Sequence, residues 1–359
     1  MSLLPFVIAF AAQAAEVTDL PPQARGDVAI DYSAAAVPDA LREGNETVAN
    51  RRSIDHMLHY RIRFGALDYL AFEVELPHYA SSRIRFSNAR EMSYDPLTQT
   101  GTMIGTDSIP NTERHGIGAG GTWLRALATP VSESLFDARG DQVTWLVGLG
   151  YQFKDQSSFW NRNETGKRGA GPTSPGLELR SFWSTQNNMT SPFIGLTWTQ
   201  RFASDATLRN TNGVVTQANV AVHDPSALDI QTGMEIELWA DESRANGLGS
   251  ALALDIEGTF SYQTAGQAVS GVQLPSILSL SENQTVTQSE RSSLWAGGGL
   301  RWRIIRYLDW RIHSSAGANL SQRLENPYDV STASKGKLGW TVGTTFNFRM
   351  RDPMFDAKQ

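Results

Sequence analysis

Near the C-terminal end the chain reads RIHSSAG, Arg311 to Gly317. His313 and Ser315 are two residues apart, so an extended backbone puts both on one face. There an imidazole could take the proton of the serine hydroxyl and make it a nucleophile. A plain hydrogen-bonded pair satisfies the same spacing. A second cluster is acidic. Asp229, Glu235 and Glu237 share one phase of a first segment, and Asp255 and Glu257 share one phase of the next. Counting back from the intervening turn brings Glu235 beside Asp255. Carboxylates that close repel one another unless cations neutralise them. The patch therefore reads as a cation-selective wall, as a Ca²⁺ site, or as acids paired with Arg201 or with arginines of neighbouring strands. Charges of opposite sign fall on the same phase elsewhere: Arg61 and Arg63 beside Glu73 and Glu75, then Arg301, Arg303 and Arg311. Such mixed ladders either line a pore or plug it with a salt-bridged core. GIGAGG (116–121) lacks the strand–helix setting of a phosphate loop and reads as a strand of small residues that packs closely.

The elements that must position these groups are strands, because the period is 2 almost throughout. In QVTWLVGLGYQFK, Val143, Trp145, Val147, Leu149, Tyr151 and Phe153 share one face. In ALALDIEGTFSY, Leu252, Leu254, Ile256, Phe260 and Tyr262 alternate with Ala253, Asp255, Glu257, Thr259 and Ser261. No segment holds a helical period for two turns. The spacing predicts strands at 26–33, 54–65, 68–77, 115–127, 142–154, 176–186, 192–203, 227–240, 250–263, 290–304, 307–321 and 337–349. That is twelve, within a range of ten to fourteen because SRIRFSNAREMSY, inside 78–114, can form a further hairpin. Many of these strands run to about 10–14 residues, longer than the 5–6 of globular sheets and suited to a tilted membrane crossing. Short and long connections alternate, and parity makes 26–33 necessary for an even count with both ends on one side.

The two faces differ in kind. The apolar face lacks mid-strand charge; its exceptions are the neutral Ser181, Thr232 and Ser314. The other face carries Gly, Ser, Thr, Gln and mixed charges, which suits a polar lumen. Aromatic residues gather at strand ends: Tyr69, Trp123, Tyr151, Phe153, Trp183, Phe202, Tyr262, Trp302, Trp310 and Phe348. Rings with polar tips favour the headgroup level of a membrane.

Composition narrows the classes. The net charge is −6, which argues against a nucleic-acid partner, and there is no cysteine for disulfides or thiolate metal sites. No cofactor is expected. The N-terminus has an apolar core from Leu3 to Ala12 and a small-residue cleavage site, Ala12-Gln13-Ala14. It predicts a signal peptide over 1–14. A barrel is expected over 15–349 and a short periplasmic tail over 350–359. Beyond the signal, no run reaches the roughly 18–20 apolar residues of a membrane helix.

On these features the chain resembles bacterial outer-membrane β-barrel proteins, porin-like in general form. TVGTTFNF, Thr341 to Phe348, is similar to the family's C-terminal assembly signal, with Thr341, Gly343, Phe346 and Phe348 at its fixed positions. The resemblance implies an all-β, single transmembrane, antiparallel up-and-down barrel of about 12 strands, with short periplasmic turns and long extracellular loops. It also implies an outer-membrane location, contact with outer-membrane lipids, and recognition by the barrel-assembly machinery. The His-x-Ser spacing resembles that of outer-membrane phospholipase and lipid A deacylase barrels. In those families the pair faces lipid, whereas here Trp310 and Ile312 mark the lipid face and put His313 and Ser315 in the lumen. Four functions stand as expectations. The first is a passive channel for small polar solutes. The others are a non-conducting barrel that holds envelope protein partners, a lipid hydrolase, and a soluble secreted β protein.

Overall fold

The computed structural model describes residues 20–43, 46–87, 89–95, 100–109, 112–131, 142–154, 174–186, 189–209, 215–241, 250–269, 285–305, 307–320, 322–325 and 331–350. The expected signal segment lies outside these residues, as does the expected tail from 351 on; Met350, expected in the tail, ends the last strand.

Twelve strands form the wall. They are β1 (Gly26–Glu43), β2 (Glu46–Leu67), β3 (Leu70–Ser87), β4 (Thr112–Ala119, resuming as Trp123–Val131), β5 (Gln142–Gln152) and β6 (Gly176–Gln186). They continue as β7 (Thr190–Arg201), β8 (Ala227–Asp241), β9 (Ser250–Gln263), β10 (Arg291–Ile305), β11 (Leu308–Asn319) and β12 (Gly339–Met350). Each strand pairs antiparallel with its sequence neighbours. β1 pairs with β12 from Gly26↔Met350 to Ala36↔Trp340 and closes the sheet on itself. Closure satisfies every edge, which a wall in lipid requires. The strand count agrees with the expectation, and no helix occurs among the described residues.

Three features of the wall differ from the expectation or add to it. β1 and β2 are far longer than 26–33 and 54–65, pairing in register from Gly26↔Phe64 to Leu41↔Ala49 before a bulge. The sequence hid this because Ala34-Ala35-Ala36-Val37-Pro38 puts small side chains on both faces and erases the alternation. The segment 83–87 continues β3. Ala89–Asp95 pairs with Thr100–Ile109 in a separate two-stranded sheet, so this hairpin adds nothing to the barrel count. Short pieces extend the wall past the ends of β9 to β12, with Ser331–Gly336 rejoining β1.

GIGAGG marks the interruption in β4. Gly118 and Gly121 have φ of 135° and 85°, which side chains other than glycine rarely adopt. Gly120 donates its N–H to Pro77 O at 2.7 Å and packs against Pro77 and Tyr79. The close packing expected of this stretch is a turn in the wall, made against a proline of β3.

The outward face is apolar and open. Phe64, Phe72, Leu149, Ile194, Leu300 and Ile312 are each about half exposed. Trp145 and Trp183 stack at 4.9 Å, and Trp310 stacks on Phe346 at 6.1 Å. Outward polar atoms find partners within the wall: Trp145 Nε1 donates to Ser181 Oγ at 3.0 Å, and Trp310 Nε1 donates to Thr344 Oγ1 at 2.8 Å. An apolar band flanked by rings, around a closed sheet with charges inside, is the outer-membrane type of barrel. Trp123 is the exception in the expected girdle. It is 4% exposed and points inward, where Arg125 lies 4.8 Å over its ring.

Candidate functional site

The lumen collects the charged groups. Along β2 the inward positions are Arg51, Asp55, His59 and Arg63; along β3 they are Ala71, Glu73, Glu75 and Tyr79. Alternation alone produces this, since residues two apart share a face. Arg63 stands opposite Glu73 in the β2–β3 register, and its guanidinium reaches that carboxylate at 2.7 Å. Arg61 faces Glu75 in the same register. Glu73, Glu75 and Glu178 converge on Arg125 of β4. Its Nη1 is 2.9 Å from Glu73 and also contacts Glu75, and its Nε is 2.8 Å from Glu178. Glu178 also takes Arg180 at 2.5 Å, and His59 Nδ1 is 3.1 Å from Glu75. Water scarcely reaches this network: the side chains of Glu73 and Arg125 are 0% and 2% exposed.

Arg125, Glu178 and Arg180 were not among the residues the sequence singled out. Arg125 lies between Trp123 and Leu127, and although Glu73 stands directly opposite it in the β3–β4 register, the long 78–114 connection keeps that register from being counted in the sequence. Glu178 is two strands away from it in the wall.

The other half of the lumen is looser. Glu235 faces Asp255 across β8 and β9, and Arg301 of β10 reaches Glu235 at 2.5 Å. Arg311 of β11 is 2.7 Å from Asp255 and 3.7 Å from Glu257. Adjacent arginines therefore pair with Glu235, Asp255 and Glu257, while Asp229 is buried between Thr197 and Ser261 and Glu237 is exposed. Arg201, one of the partners expected from sequence, instead donates to Ser174 O at 3.2 Å and lies 5.7 Å over Trp123. Arg303 pairs with Asp309 at 3.3 Å, and Asp309 also meets Arg349 at 2.6 Å. Here the wall between the charges is glycine and serine: Gly297, Gly299, Ser315, Gly317 and Gly343. Exposure rises toward the periplasmic end, with the Arg301 and Arg303 side chains at 14% and 37% and Glu237 exposed.

His313 and Ser315 both face inward on β11, with Ile312 outward between Arg311 and His313. Ser315 Oγ shares a hydrogen bond with Thr341 Oγ1 at 2.7 Å, and the His313 ring lies against Gly343. Thr341 and Gly343 face the lumen on β12, while Phe346 and Phe348 face outward.

Two apolar layers interrupt the charges. Ala35, Val37, Met57, Tyr79 and Trp295 form one toward the outer end. Leu20, Ala71, Leu127, Leu146 and Phe182 form the other near the periplasmic end. Leu20 precedes β1. The chain turns through Ala24, at φ 59°, and is pinned by Ala24 N to Gly65 O at 2.8 Å and Gly65 N to Arg25 O at 2.9 Å. Residues 20–25 thus fold back under the β2–β7 side of the barrel. Nothing in the strand periodicity announces them.

No family model matches the chain, and no curated protein matches it. Solved structures do. An outer membrane channel from Pseudomonas putida F1 is similar at 12% identity and TM-score 0.48, over 93% of this chain and 98% of that one. A FadL homologue from Pseudomonas aeruginosa is similar at 10% identity and TM-score 0.37, over 91% and 90%. The outer membrane protease OmpT of Escherichia coli is similar at 7% identity and TM-score 0.36, over 90% and 96%. A channel and a protease at comparable distance carry no activity over to this chain.

Proposed function

We propose that the protein is a narrow channel of a bacterial outer membrane that passes small polar or charged solutes along the β8–β12 side of its lumen. The observation that carries this reading is the segregation of the interior. The β2–β7 side is closed by the Arg125 network and by Leu20, whereas the β8–β12 side has a glycine and serine wall whose arginines Arg301 and Arg303 are 14% and 37% exposed toward the periplasmic end, narrowing at the buried Arg311–Asp255 pair and at Trp295. Barrels of 8 strands are filled by side chains and those of 16 hold an aqueous channel, and twelve strands lie between the two. Arg301–Glu235 and Arg311–Asp255 are then the constriction.

The test is conductance of the refolded chain in a planar bilayer. Steady single-channel steps are expected. In the Glu235→Gln, Glu237→Gln variant the wall loses negative charge and Arg301 loses its partner, so the reversal potential in a salt gradient moves toward anion preference. A folded, heat-modifiable barrel that never conducts would overturn the channel reading. It would favour the second one, a non-conducting barrel that holds envelope partners, for which the buried Arg125 network is the supporting observation.

A lipid hydrolase needs its nucleophile at the lipid face. With Ser315 bonded to Thr341 inside the wall, Ser315→Ala is expected to leave phospholipid turnover in mixed micelles equal to that of the wild type. A loss of turnover in the variant would restore the enzyme reading.

A further inference from the structure

Above the apolar band the outer surface of β2 and β3 turns basic. Arg52 and Arg85 stand directly opposite each other in the register, and Arg83 lies on the same outward face, opposite Ile54. All three are exposed. In the same row, Arg52 faces Pro38 of β1, whose carbonyl accepts from Lys337 N at 3.0 Å. The Lys337 ammonium crosses β1 to donate to Asn50 Oδ1 at 3.0 Å, one outward position beyond Arg52. Four basic side chains from three stretches of sequence are thereby gathered on one surface. Arg83 and Arg85 also engage other groups of the protein, and Glu113 of β4 faces Arg85 at the edge of the patch.

Two observations point to a ligand of stated chemistry. Like charges directly opposite on neighbouring strands destabilise a sheet, with Cβ atoms about 4.5–5.5 Å apart. Arg52 and Arg85 adopt that arrangement where the facing residue on the β1 side is a proline. A phosphate between the two planar forks removes the repulsion and gives each a paired hydrogen bond. The second observation is height. Phe64 lies near the periplasmic turn and Arg52 is twelve residues from it along β2. That is ~40 Å of strand at about 3.3 Å per residue, or ~30 Å of height at a tilt of about 40°. The apolar band of such barrels is about 25 Å tall. Exposed Trp340 pairs with Ala36, itself the register partner of Ile54, and so lies near the top of the band, where amphipathic rings sit at the headgroup level.

We propose that Arg52, Arg83, Arg85 and Lys337 form a site for the phosphate groups of an anionic glycolipid in the outer leaflet. The site rests on the barrel's membrane placement and is independent of whether its lumen conducts, so a silent bilayer recording leaves it standing and a failed binding assay leaves the channel standing.

The experiment is native mass spectrometry of the refolded full-length chain, released from detergent with bis-phosphorylated lipid A, with its dephosphorylated form, or with inorganic phosphate. Retained adducts of the phosphorylated lipid are expected, with half-saturation weakening roughly fivefold for each basic side chain removed, in Arg52→Ser and in Arg52→Ser, Arg85→Ser. Arg52→Lys, which keeps the charge and loses the fork, should fall between wild type and Arg52→Ser. Equal binding by wild type and a heat-modifiable double variant would overturn the site. So would equal retention of the two lipids by the wild type, a comparison that decides the matter even if the variants do not fold. Displacement of the lipid by inorganic phosphate at an equal concentration would assign the patch to free phosphate and overturn the lipid.

Discussion

Arg125→Met is expected to destabilise the folded barrel by about 3 kcal/mol, the low end of what removing one partner from a buried ion cluster costs. The reason lies in the local charge count. Glu73, Glu75 and Glu178 bring three negative charges to a place water does not reach, and Arg63, Arg125 and Arg180 bring three positive ones. Without Arg125 each acid keeps one neighbour: Arg63 for Glu73, His59 for Glu75 and Arg180 for Glu178. No carboxylate is wholly abandoned, so the loss stays near the bottom of the range. The check is a urea titration of the refolded protein in detergent, read by tryptophan fluorescence and by the heat-modifiable band. Arg303→Met is the control. Its side chain is 37% exposed, and its buried partner Asp309 keeps Arg349 at 2.6 Å, so the loss is expected to stay at about 0–1 kcal/mol. Adding Glu178→Gln to Arg125→Met restores the balance to two against two and should recover part of the loss. Equal midpoints for Arg125→Met and Arg303→Met would mean that both sides of the lumen are equally wet, and the asymmetry on which the channel rests would be gone.

What the sequence made legible was whatever a two-residue period can carry. Positions such as Leu149 and Trp145, or Glu235 and Glu237, declare their faces locally, and a hairpin brings Arg63 to Glu73 and Glu235 to Asp255 by counting from the turn. Contacts between strands that are not joined by a turn cannot be counted in this way. Arg125 with Glu178, and Arg311 of β11 with Asp255 of β9, require the wall to be closed and its radius fixed before any partner can be named. The sequence places Trp123 in the girdle because Trp123, Leu124 and Leu127 leave β4 apolar on both phases, so a single bulky residue sets the phase, whereas the folded wall turns it inward. The same ambiguity hid the apolar layers within a lumen expected to be polar: Leu127, Leu146, Phe182 and Trp295 occupy inward positions. Glycine makes room for some of them. The Phe182 ring lies on Gly195 and the Trp295 ring on Gly317, where any Cβ would collide with it. Leu20 belongs to no strand at all, and only tertiary packing gives it a place.

Leu149→Arg is expected to cost about 2–4 kcal/mol when the protein is refolded into phospholipid vesicles, the depth-dependent penalty for a cation near the middle of the lipid face. Leu149 is the position to choose because it is 52% exposed and lies four residues from Trp145 on one side and from Phe153 on the other, midway between the two aromatic levels. The exposure makes the result diagnostic. On a soluble barrel a half-exposed leucine changed to arginine stays within about 0.5 kcal/mol, because the new side chain meets water. In lipid the guanidinium meets hydrocarbon, and from mid-depth its stem must reach toward one interface to find headgroups and water. Leu76→Arg on β3 is not an equivalent test, since its place along a longer, tilted strand sets a different depth. The comparison that decides is Leu149→Arg against wild type in vesicles and again in a water-soluble polymer that leaves the lipid face wet. A penalty in vesicles that shrinks in the polymer means the outward apolar face is solvated by lipid, and the height argument for the arginine row holds with it. A penalty near zero in both would mean that the face meets water, and the channel and the phosphate site would fall together.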